Sequence, residues 1–514
     1  MPTLIQQTNI DEAALARFAQ DVAFTLASGD TLTLEGDLGT GKTTFARALI
    51  RALTGDAGLE VPSPTFTLVQ SYSAARFDLA HFDLYRLNSP AELDELGLDA
   101  ALKSGIAIIE WPDRAGDRLP QDRFCLRLSE GRDEDGRNLD FSAQGSAQIR
   151  AVRLVQIRNF LDKTGWRDGG SALSYLQGDA SPRRYARVHK ADGGCAILMD
   201  SPRQPDGPPV RDGKPYSQIA HLAEDVSAFA AVDLELERCG FSVPKILEQD
   251  LDHGLLVIED FGNRVFGQEI ARGENQEELW RAATETLVAI YPHAPPPVIA
   301  LPDGGQYKVA RLDASALQIE TELLVDWYWP ALLGTAPPPE IAQEFRALWT
   351  PIFDRVLQGS KHWLLRDYHS PNLIHLPDRP APMNVGIIDF QDAMRGPAAY
   401  DLVSLLQDAR LDVPDALEAK LLAHYVALIS ATQSKFNESE FRFVYAALGA
   451  QRNTKIAGIF ARLAKRDGKR QYLAHLPRIW GYLTKNLEHP ELAPLRAWYD
   501  RHLPREVRNL AFDI

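Results

Sequence analysis

The chain has 514 residues, of which 45% are hydrophobic and 24% charged, and its 55 basic and 70 acidic side chains give a formal net charge of -15. A chain of this length exceeds the size at which one hydrophobic core keeps growing, so we expect two or three domains. These fractions are those of a globular protein and exclude a disordered or fibrous one. The acidic balance argues against a general surface for nucleic-acid phosphates, so we expect any RNA role to run through a partner.

The cysteines and the apolar segments indicate the compartment. Cys125, Cys195 and Cys239 are scattered singly, which argues against a disulfide framework or a zinc site. The first residues have no basic stretch followed by an apolar core, and no later segment approaches the roughly eighteen uncharged apolar residues of a bilayer span. We therefore expect a cytoplasmic protein that does not associate with a membrane.

The N-terminal part of the chain has the pattern of an α/β domain. Strand-like and helix-like stretches alternate from Asp11 to about Ala143, which predicts a parallel-type sheet with flanking helices. Residues 130–146 are polar, and an apolar helical pattern then begins near Ile149. We therefore predict a first domain over residues 1–147.

The second part, residues 148–514, has a different pattern. Short strand-like pieces between residues 186 and 199 precede a region that is mainly helical after Gln276. This order predicts an α+β domain with a small lobe at about residues 153–265 and a large helical lobe at about 266–514.

A glycine-rich segment in the first domain has the pattern of a P-loop. It follows the strand-like stretch Thr31 to Leu34 and opens a helical stretch that runs to Leu53 and stops at Gly55. In such a loop backbone N–H groups approach the phosphates of ATP, the lysine reaches the outer phosphates and the following hydroxyl ligates Mg²⁺. The alternative is a glycine-rich turn that precedes Lys-Thr by chance. We predict ATP contacts at Gly36, Asp37, Leu38, Gly39, Thr40, Gly41, Lys42, Thr43 and Thr44, with Thr43 also a metal ligand.

Three further segments accompany the P-loop, namely Ser63-Pro64-Thr65-Phe66-Thr67-Leu68-Val69, His81-Phe82-Asp83-Leu84-Tyr85-Arg86-Leu87 and Ile108-Ile109-Glu110-Trp111-Pro112. Together the four motifs resemble, in order, the TsaE-type ATPases of bacterial tRNA threonylcarbamoyladenosine synthesis. The resemblance covers about the first 145 residues. It implies a P-loop ATPase that supports the threonylcarbamoyl-transferase complex and meets tRNA only indirectly.

The same resemblance assigns roles to single residues. It implies that Asp83 ends a strand as the Mg²⁺-associated carboxylate and that Thr65 lies in a switch-like loop. Glu110 becomes a metal-side or water-orienting acid with a catalytic role, and Trp111 packs near the nucleotide. The structural alternatives are a solvated strand end for Asp83, a surface acid for Glu110 and a core aromatic for Trp111.

A second set of polar residues lies in the second domain, in the segments Leu365-Arg366-Asp367-Tyr368-His369-Ser370-Pro371-Asn372 and Ile387-Ile388-Asp389-Phe390-Gln391. Kinase-like enzymes use an Asp, an Asn five residues later and a carboxylate after an apolar strand to hold a substrate hydroxyl and two Mg²⁺ ions. We predict Asp367 as the catalytic base and Asn372 and Asp389 as metal ligands. The alternative is three unrelated polar residues in turns.

Two residues near this set have predicted structural roles. We expect His369 to support the loop, and Asp401 to tie it to a helix start as an N-cap.

These motifs resemble the aminoglycoside phosphotransferase superfamily, whose members phosphorylate small hydroxyl substrates and have a two-lobe protein-kinase-like fold. Three segments, 178–188, 196–202 and 447–456, resemble more closely the cell-wall-recycling kinases that phosphorylate the anomeric hydroxyl of N-acetylmuramate and N-acetylglucosamine. The resemblance covers residues from about 153 to 490. It implies a bifunctional ATP- and Mg²⁺-using protein with an amino-sugar substrate.

One departure from the superfamily concerns the small lobe. The strand at Leu198-Met199-Asp200 ends without the lysine that most relatives use for ATP. We expect Arg183, Arg184 or Arg187 to supply that phosphate contact. The alternatives are a kinase for choline, homoserine or an aminoglycoside, and a pseudokinase that regulates the ATPase.

A basic stripe runs along a helix near the C-terminus. Lys455, Arg462 and Arg466 lie on neighbouring turns. They either attract an acidic group such as the lactyl carboxylate of N-acetylmuramate or form a solvated face.

Overall fold

The computed structural model describes residues 2–176, 183–359, 361–508 and 512. The strands are β1 (Thr3–Ile10), β2 (Thr31–Glu35), β3 (Val69–Ser73), β4 (Asp78–Asp83), β5 (Gly105–Glu110), β6 (Arg123–Glu130), β7 (Arg137–Gln144), β8 (Ala172–Leu176), β9 (Arg184–His189), β10 (Cys195–Asp200), β11 (Pro209–Arg211), β12 (Lys214–Pro215), β13 (Ile246–Asp250), β14 (Leu255–Ile258), β15 (Val298–Ala300), β16 (Gln306–Lys308), β17 (His362–Leu364), β18 (Leu373–His375), β19 (Val385–Ile387) and β20 (Met394–Gly396).

The α-helices are α1 (Glu12–Thr25), α2 (Lys42–Thr54), α3 (Glu92–Glu95), α4 (Leu98–Ser104), α5 (Ala147–Lys163), α6 (Tyr216–Ile219), α7 (Ser227–Arg238), α8 (Phe266–Ala271), α9 (Gln276–Ile290), α10 (Ala314–Leu323), α11 (Trp329–Leu333), α12 (Pro339–Val356), α13 (Ala399–Leu406), α14 (Asp415–Thr432), α15 (Glu438–Asp467), α16 (Leu476–Asn486), α17 (Ala493–His502) and α18 (Arg505–Arg508). A π-helical turn, Leu324–Tyr328, joins α10 to α11. Within the described residues, no helix has the length and apolar character needed to cross a membrane.

The chain divides into two compact units. The first consists of Met1–Pro202 and Ile246–Asp260, and the second of Arg203–Lys245 and Phe261–Ile514.

The first unit is built on a seven-stranded sheet in the order β1-β7-β6-β2-β5-β4-β3. The central strands β6, β2, β5 and β4 are parallel, whereas β7, β1 and β3 pair antiparallel at the margins. Side chains of β5 alternate, so Ile106 and Ile108 pack with α1, α2 and α5 on one face, and Ala107 and Ile109 with α3 and α4 on the other. Burial on both faces is what a parallel sheet requires. The predicted α/β fold is confirmed, with antiparallel margins that the sequence did not predict.

A second sheet belongs to the same unit. Its five strands are antiparallel, in the order β13-β14-β10-β9-β8. Phe24 of α1 and Phe160 of α5 pack in one cluster with residues of these strands. Earlier residues of α5, such as Ala151, pack instead in the core of the seven-stranded sheet. Helix α5 therefore packs in the hydrophobic cores of both sheets. The proposed domain boundary after residue 147 lies in the first turn of this helix.

The second unit is mainly helical and centres on α15, which is buried along most of its length. Gly458 lets α15 approach the chain at Leu323 closely, since a Cβ on Gly458 would lie 2.4 Å from the Leu323 carbonyl oxygen. Two short antiparallel strand pairs, β17 with β20 and β18 with β19, hold the loops that carry the predicted catalytic residues. The predicted α+β fold with a mainly helical C-terminal part is confirmed.

Candidate active sites

The glycine-rich loop lies between β2 and α2, as the sequence predicts. Gly36, Gly39 and Gly41 have φ values of 138°, 85° and 100°, which glycine adopts at least cost. Helix α2 ends at Thr54, and Gly55 follows as its left-handed cap. The loop thus runs directly into the N-terminus of α2, the arrangement that binds phosphate. Of the other predicted contacts, Asp37 and Leu38 are exposed, Thr40 is buried and Thr44 is half-buried.

Gly36 leaves no room for a side chain, since a Cβ there would lie 2.2 Å from the Leu128 carbonyl oxygen of β6. We expect Gly36→Ala to lower ATP hydrolysis at least about 100-fold, because the loop must move by a large fraction of an ångström away from its phosphate-binding position. Gly55→Ala is the matched control. It also has a positive φ, but nothing lies within 4 Å of its Cβ. Steady-state ATPase rates decide the point, and an active Gly36→Ala protein would show that this close packing is unimportant.

Thr43 and Glu110 are in direct contact. The Thr43 hydroxyl donates to Glu110 Oε2 at 3.0 Å, and His81 Nε2 lies 3.0 Å from Glu110 Oε1. Glu110 and His81 are both buried. The predicted metal ligand and the predicted acid therefore meet, and His81 fixes the orientation of that acid. The role of His81 was not predicted from the sequence, although the alternation of β4 puts it on the same side of the strand as Asp83.

Asp83 ends β4 beside Glu110 of β5, its register partner. Its Oδ2 accepts hydrogen bonds from the hydroxyls of Thr65 at 2.7 Å and Ser63 at 3.3 Å. Its Oδ1 accepts one from the Tyr85 backbone N–H at 3.0 Å. The loop that holds Thr65 is therefore tied directly to the carboxylate predicted for Mg²⁺.

Lys42 lies at the centre of these groups. Its ammonium donates to the carbonyl oxygens of Gly36 and Asp37 at 2.8 and 2.7 Å, and lies 3.8 Å from the ring centroid of Trp111. Burial lowers the pKa of Lys42, against the opposite effect of the carboxylates of Glu110, Asp83 and Asp37. Trp111 thus contacts Lys42, the lysine predicted to bind phosphate, directly. Hydroxyl and carboxylate oxygens are the donors that Mg²⁺ prefers, so Thr43, Asp83 and Glu110 fit a magnesium site.

The predicted catalytic loop of the second unit lies between β17 and β18. Asp401 of α13 holds it, since its carboxylate accepts the backbone N–H groups of Leu365 at 2.7 Å and Arg366 at 2.9 Å. The helix N-cap is Ala398, so the expected N-cap role of Asp401 is wrong. Burial raises the pKa of Asp401 to about 7. Arg366 has a φ of 73°, and this strained backbone precedes the predicted base.

The three predicted catalytic and metal-binding residues come together. Asn372 Nδ2 donates to the Asp367 carbonyl oxygen at 3.0 Å and to Asp389 Oδ2 at 3.4 Å. Asp389 follows β19 with a φ of 60° and also accepts from Gln391 Nε2 at 3.1 Å. The side-chain oxygens of Asn372 and Asp389 are hard donors at one place, which fits Mg²⁺.

Asp367 lies among positive charges. Burial by itself raises the pKa of Asp367, but His369, Lys455, Arg366 and Arg452 together hold it below its usual value. The carboxylate is therefore ionised at neutral pH, the state that a base requires. His369 supports the loop through its backbone, since its carbonyl accepts the Asn372 N–H at 2.9 Å.

The two candidate sites lie in parts of the chain that match two known protein families. The family described as "Threonylcarbamoyl adenosine biosynthesis protein TsaE" matches residues 10–139, and the "Phosphotransferase enzyme family" matches residues 172–436. The chain belongs to both families. We refer to its parts as the TsaE domain and the phosphotransferase domain, and the predicted fusion is confirmed.

Individual relatives match each part over most of their own length. The N-acetylmuramate/N-acetylglucosamine kinase of Caulobacter vibrioides is 37% identical over 358 residues, which are 68% of this chain and 96% of that protein. The TsaE protein of Rickettsia bellii is 41% identical over 121 residues, which are 23% of this chain and 83% of that protein. Among solved structures, the ADP-bound aminoglycoside phosphotransferase APH(2'')-Ib matches 64% of this chain and 98% of its own length, with 14% identity and a TM-score of 0.41.

The small-lobe arginines of the phosphotransferase domain lie beside acids. Arg184 Nε donates to Asp200 Oδ2 at 3.0 Å, and Arg153 of α5 donates to Asp200 Oδ1 at 2.9 Å. Arg187 pairs with Asp260, with Nη2 to Oδ1 at 3.0 Å. Arg183 is half-buried, and the preceding motif residues 178–182 lie outside the described residues. The predicted contact of Arg183, Arg184 or Arg187 with ATP stays a prediction.

Asp200 ends β10, where we expected a lysine from the resemblance, and it is fully buried between two guanidinium groups. A buried carboxylate is stable only when it is neutralised in this way.

Two of the three cations in the basic stripe of α15 are paired with acids. Lys455 donates to Glu320 Oε1 at 2.8 Å, and Arg466 pairs with Asp467 at 2.7 Å. Arg462 lies 5.7 Å from the ring centroid of Tyr216. The contact of Lys455 with Glu320 argues against a uniformly solvated face, and the attraction of an acidic group by the stripe stays a prediction.

Proposed function

We propose that the protein has two activities. The TsaE domain hydrolyses ATP in support of the threonylcarbamoyl-transferase complex of tRNA modification. The phosphotransferase domain transfers a phosphoryl group from ATP to the anomeric hydroxyl of N-acetylmuramate or N-acetylglucosamine. The observation that carries the proposal is the meeting of Asp367, Asn372 and Asp389 in a chain that is 37% identical to a kinase of that name.

In the TsaE domain, the loop from Gly36 to Thr44 binds the phosphates of ATP through backbone N–H groups, and Lys42 offsets their charge. Thr43 and Asp83 would hold Mg²⁺. Glu110, oriented by His81, directs the attacking water toward the terminal phosphorus. The bond between the terminal phosphorus and the bridging oxygen breaks, and ADP and phosphate leave.

In the phosphotransferase domain, Asp367 accepts the proton of the anomeric hydroxyl as the sugar oxygen bonds to the terminal phosphorus of ATP. The bond between this phosphorus and the bridging oxygen breaks, so the products are ADP and a sugar 1-phosphate. Asn372 and Asp389 hold Mg²⁺, which when bound neutralises charge on the phosphates. The contacts of Asp401 and Asn372 keep the loop of Asp367 in place.

The partners proposed for the TsaE domain are protein subunits of the threonylcarbamoyl-transferase complex. The net charge of -15 supports a protein partner over direct binding to tRNA. We place the protein in the cytoplasm, where ATP and tRNA are available.

The first test is an acceptor panel. Purified full-length protein with ATP and Mg²⁺ is offered N-acetylmuramate, N-acetylglucosamine, choline, homoserine and kanamycin, and ADP release is followed. We expect stimulation by the two amino sugars only, with a C1 phosphate in the product by ³¹P nuclear magnetic resonance. Stimulation by choline, homoserine or kanamycin instead would overturn the acceptor assignment.

A second candidate function rests on one observation. Asp200 stands where the resemblance to the superfamily leads us to expect a lysine that contacts ATP, and this difference favours a pseudokinase that regulates the ATPase. A protein that shows acceptor-independent ATP hydrolysis and no stimulation by any acceptor would support this candidate over the proposed kinase.

A further inference from the structure

Arg452 is a buried cation that the proposed mechanism does not use. Its side chain belongs to α15, and the residue is only 5% exposed. Across residues 2–176, 183–359, 361–508 and 512, its Nη1 atom has no hydrogen-bond partner although it is shielded from solvent. A buried donor without a partner destabilises the folded protein, because its hydrogen bond to water has not been replaced by another hydrogen bond.

The neighbours of Arg452 on α15 are all engaged. Gln451 donates to Glu320 Oε2 at 2.8 Å, and Asn453 donates to Gln407 Oε1 at 2.8 Å. Thr454 donates to the Ala450 carbonyl oxygen at 2.7 Å. These contacts hold the segment on both sides of Arg452, although Gln451 Oε1 and Asn453 Oδ1 also lack a hydrogen-bond partner among the described residues.

Glu320 links this segment of α15 to the catalytic loop. It accepts a hydrogen bond from Lys455 of α15 and also from Arg366, the residue directly before Asp367. Helix α13, whose Asp401 holds the same loop, packs against α15. The charge of Arg452 also acts on Asp367 and His369. Arg452 therefore lies on the part of α15 that Glu320 links to the loop of the predicted catalytic base, close enough for its charge to act on that residue.

The guanidinium of Arg452 indicates the kind of ligand that it can bind. A guanidinium keeps its charge when buried and presents paired donors that match a carboxylate. Of the two sugars in the proposed function, N-acetylmuramate carries a carboxylate on its lactyl ether, whereas N-acetylglucosamine is neutral. We propose that Arg452 binds the carboxylate of the acidic amino-sugar acceptor. This assignment rests on the proposed kinase function and names the residue that distinguishes its two substrates.

The test compares the two sugars in Arg452→Gln and Arg452→Lys proteins, with Arg442→Gln as the matched control. Arg442 lies on the same helix, but is exposed and pairs with Glu438. We expect Arg452→Gln to lower kcat/KM for N-acetylmuramate about 10- to 100-fold more than kcat/KM for N-acetylglucosamine, because only the first sugar loses a charged contact. Arg452→Lys keeps the charge and should recover part of the loss. The control should change neither sugar.

The outcomes separate this assignment from the proposed function. Equal loss with both sugars, or no change with either, overturns the role of Arg452 and leaves the kinase function intact. A wild-type protein that phosphorylates neither sugar overturns the proposed function and this assignment with it. If Arg452→Gln does not fold, Arg452→Lys gives the same comparison, and an unchanged ratio of kcat/KM between the two sugars overturns the proposal.

Discussion

Replacing Asp367 by Asn is expected to lower sugar-dependent phosphorylation by about 10²- to 10⁴-fold, the range that a general base contributes. The amide has nearly the same shape but no basic oxygen, so the acceptor hydroxyl loses its proton acceptor. KM for the sugar should change much less than kcat, because the lost interaction forms with the transferring proton in the transition state.

The measurement is the rate of ADP release with saturating amino sugar, corrected for the rate without sugar. The rate without sugar is the internal control, since it belongs to the TsaE domain and should not change. Asp378→Asn, at a position before β19 and outside the catalytic loop, is the matched surface variant. Wild-type sugar turnover by Asp367→Asn would remove Asp367 from the mechanism.

Replacing Lys42 by Ala is expected to lower acceptor-independent ATP hydrolysis by about 10²- to 10³-fold, the usual cost of losing one electrostatic contact to a reacting oxyanion. The ammonium of Lys42 lies near the carboxylates of Glu110 and Asp83. Its removal leaves their negative charges uncompensated where phosphate must bind, so KM for ATP should also rise.

The rate of sugar phosphorylation shows whether the effect of Lys42→Ala is confined to the TsaE domain. It should persist in Lys42→Ala, because Asp367, Asn372 and Asp389 are untouched. Arg51→Ala, on the last turn of α2, serves as the control for changes to that helix. If Lys42→Ala abolished both activities in a folded protein, the two sites would not be independent, and the assignment of one activity to each domain would need revision.

The two active sites were predictable because each depends on short segments. The loop from Gly36 to Thr43 has its strand, turn and helix start within one stretch of chain, so its pattern and its geometry coincide. Asp367 and Asn372 are likewise five residues apart, and Asp389 needs only one hairpin to reach them. Local chain geometry decides such sites.

Contacts between distant segments were not predictable in this way. The antiparallel margin formed by β1 and β7 joins the start of the TsaE domain to its end, and no local pattern specifies that pairing. Arg153 pairs with Asp200 across 47 residues, so the sequence showed a missing lysine but not the buried charge cluster in its place. The hydrogen bonds from Leu365 and Arg366 to Asp401 depend on the orientation of α13 toward the catalytic loop, which no local pattern specifies.

Helix α5 has a consequence for how this protein can be divided. Its first half contributes Ala151 to the packing of the seven-stranded sheet, and its second half packs Phe160 against the five-stranded sheet together with Phe24. A fragment that starts at residue 148 would begin inside a helix that both sheets need, and would leave the ring of Phe24 behind. The five-stranded sheet would then carry a bare apolar patch. The junction between the two sheets is therefore a shared hydrophobic core and not a flexible linker. Separating the two activities requires a redesign of the packing around α5.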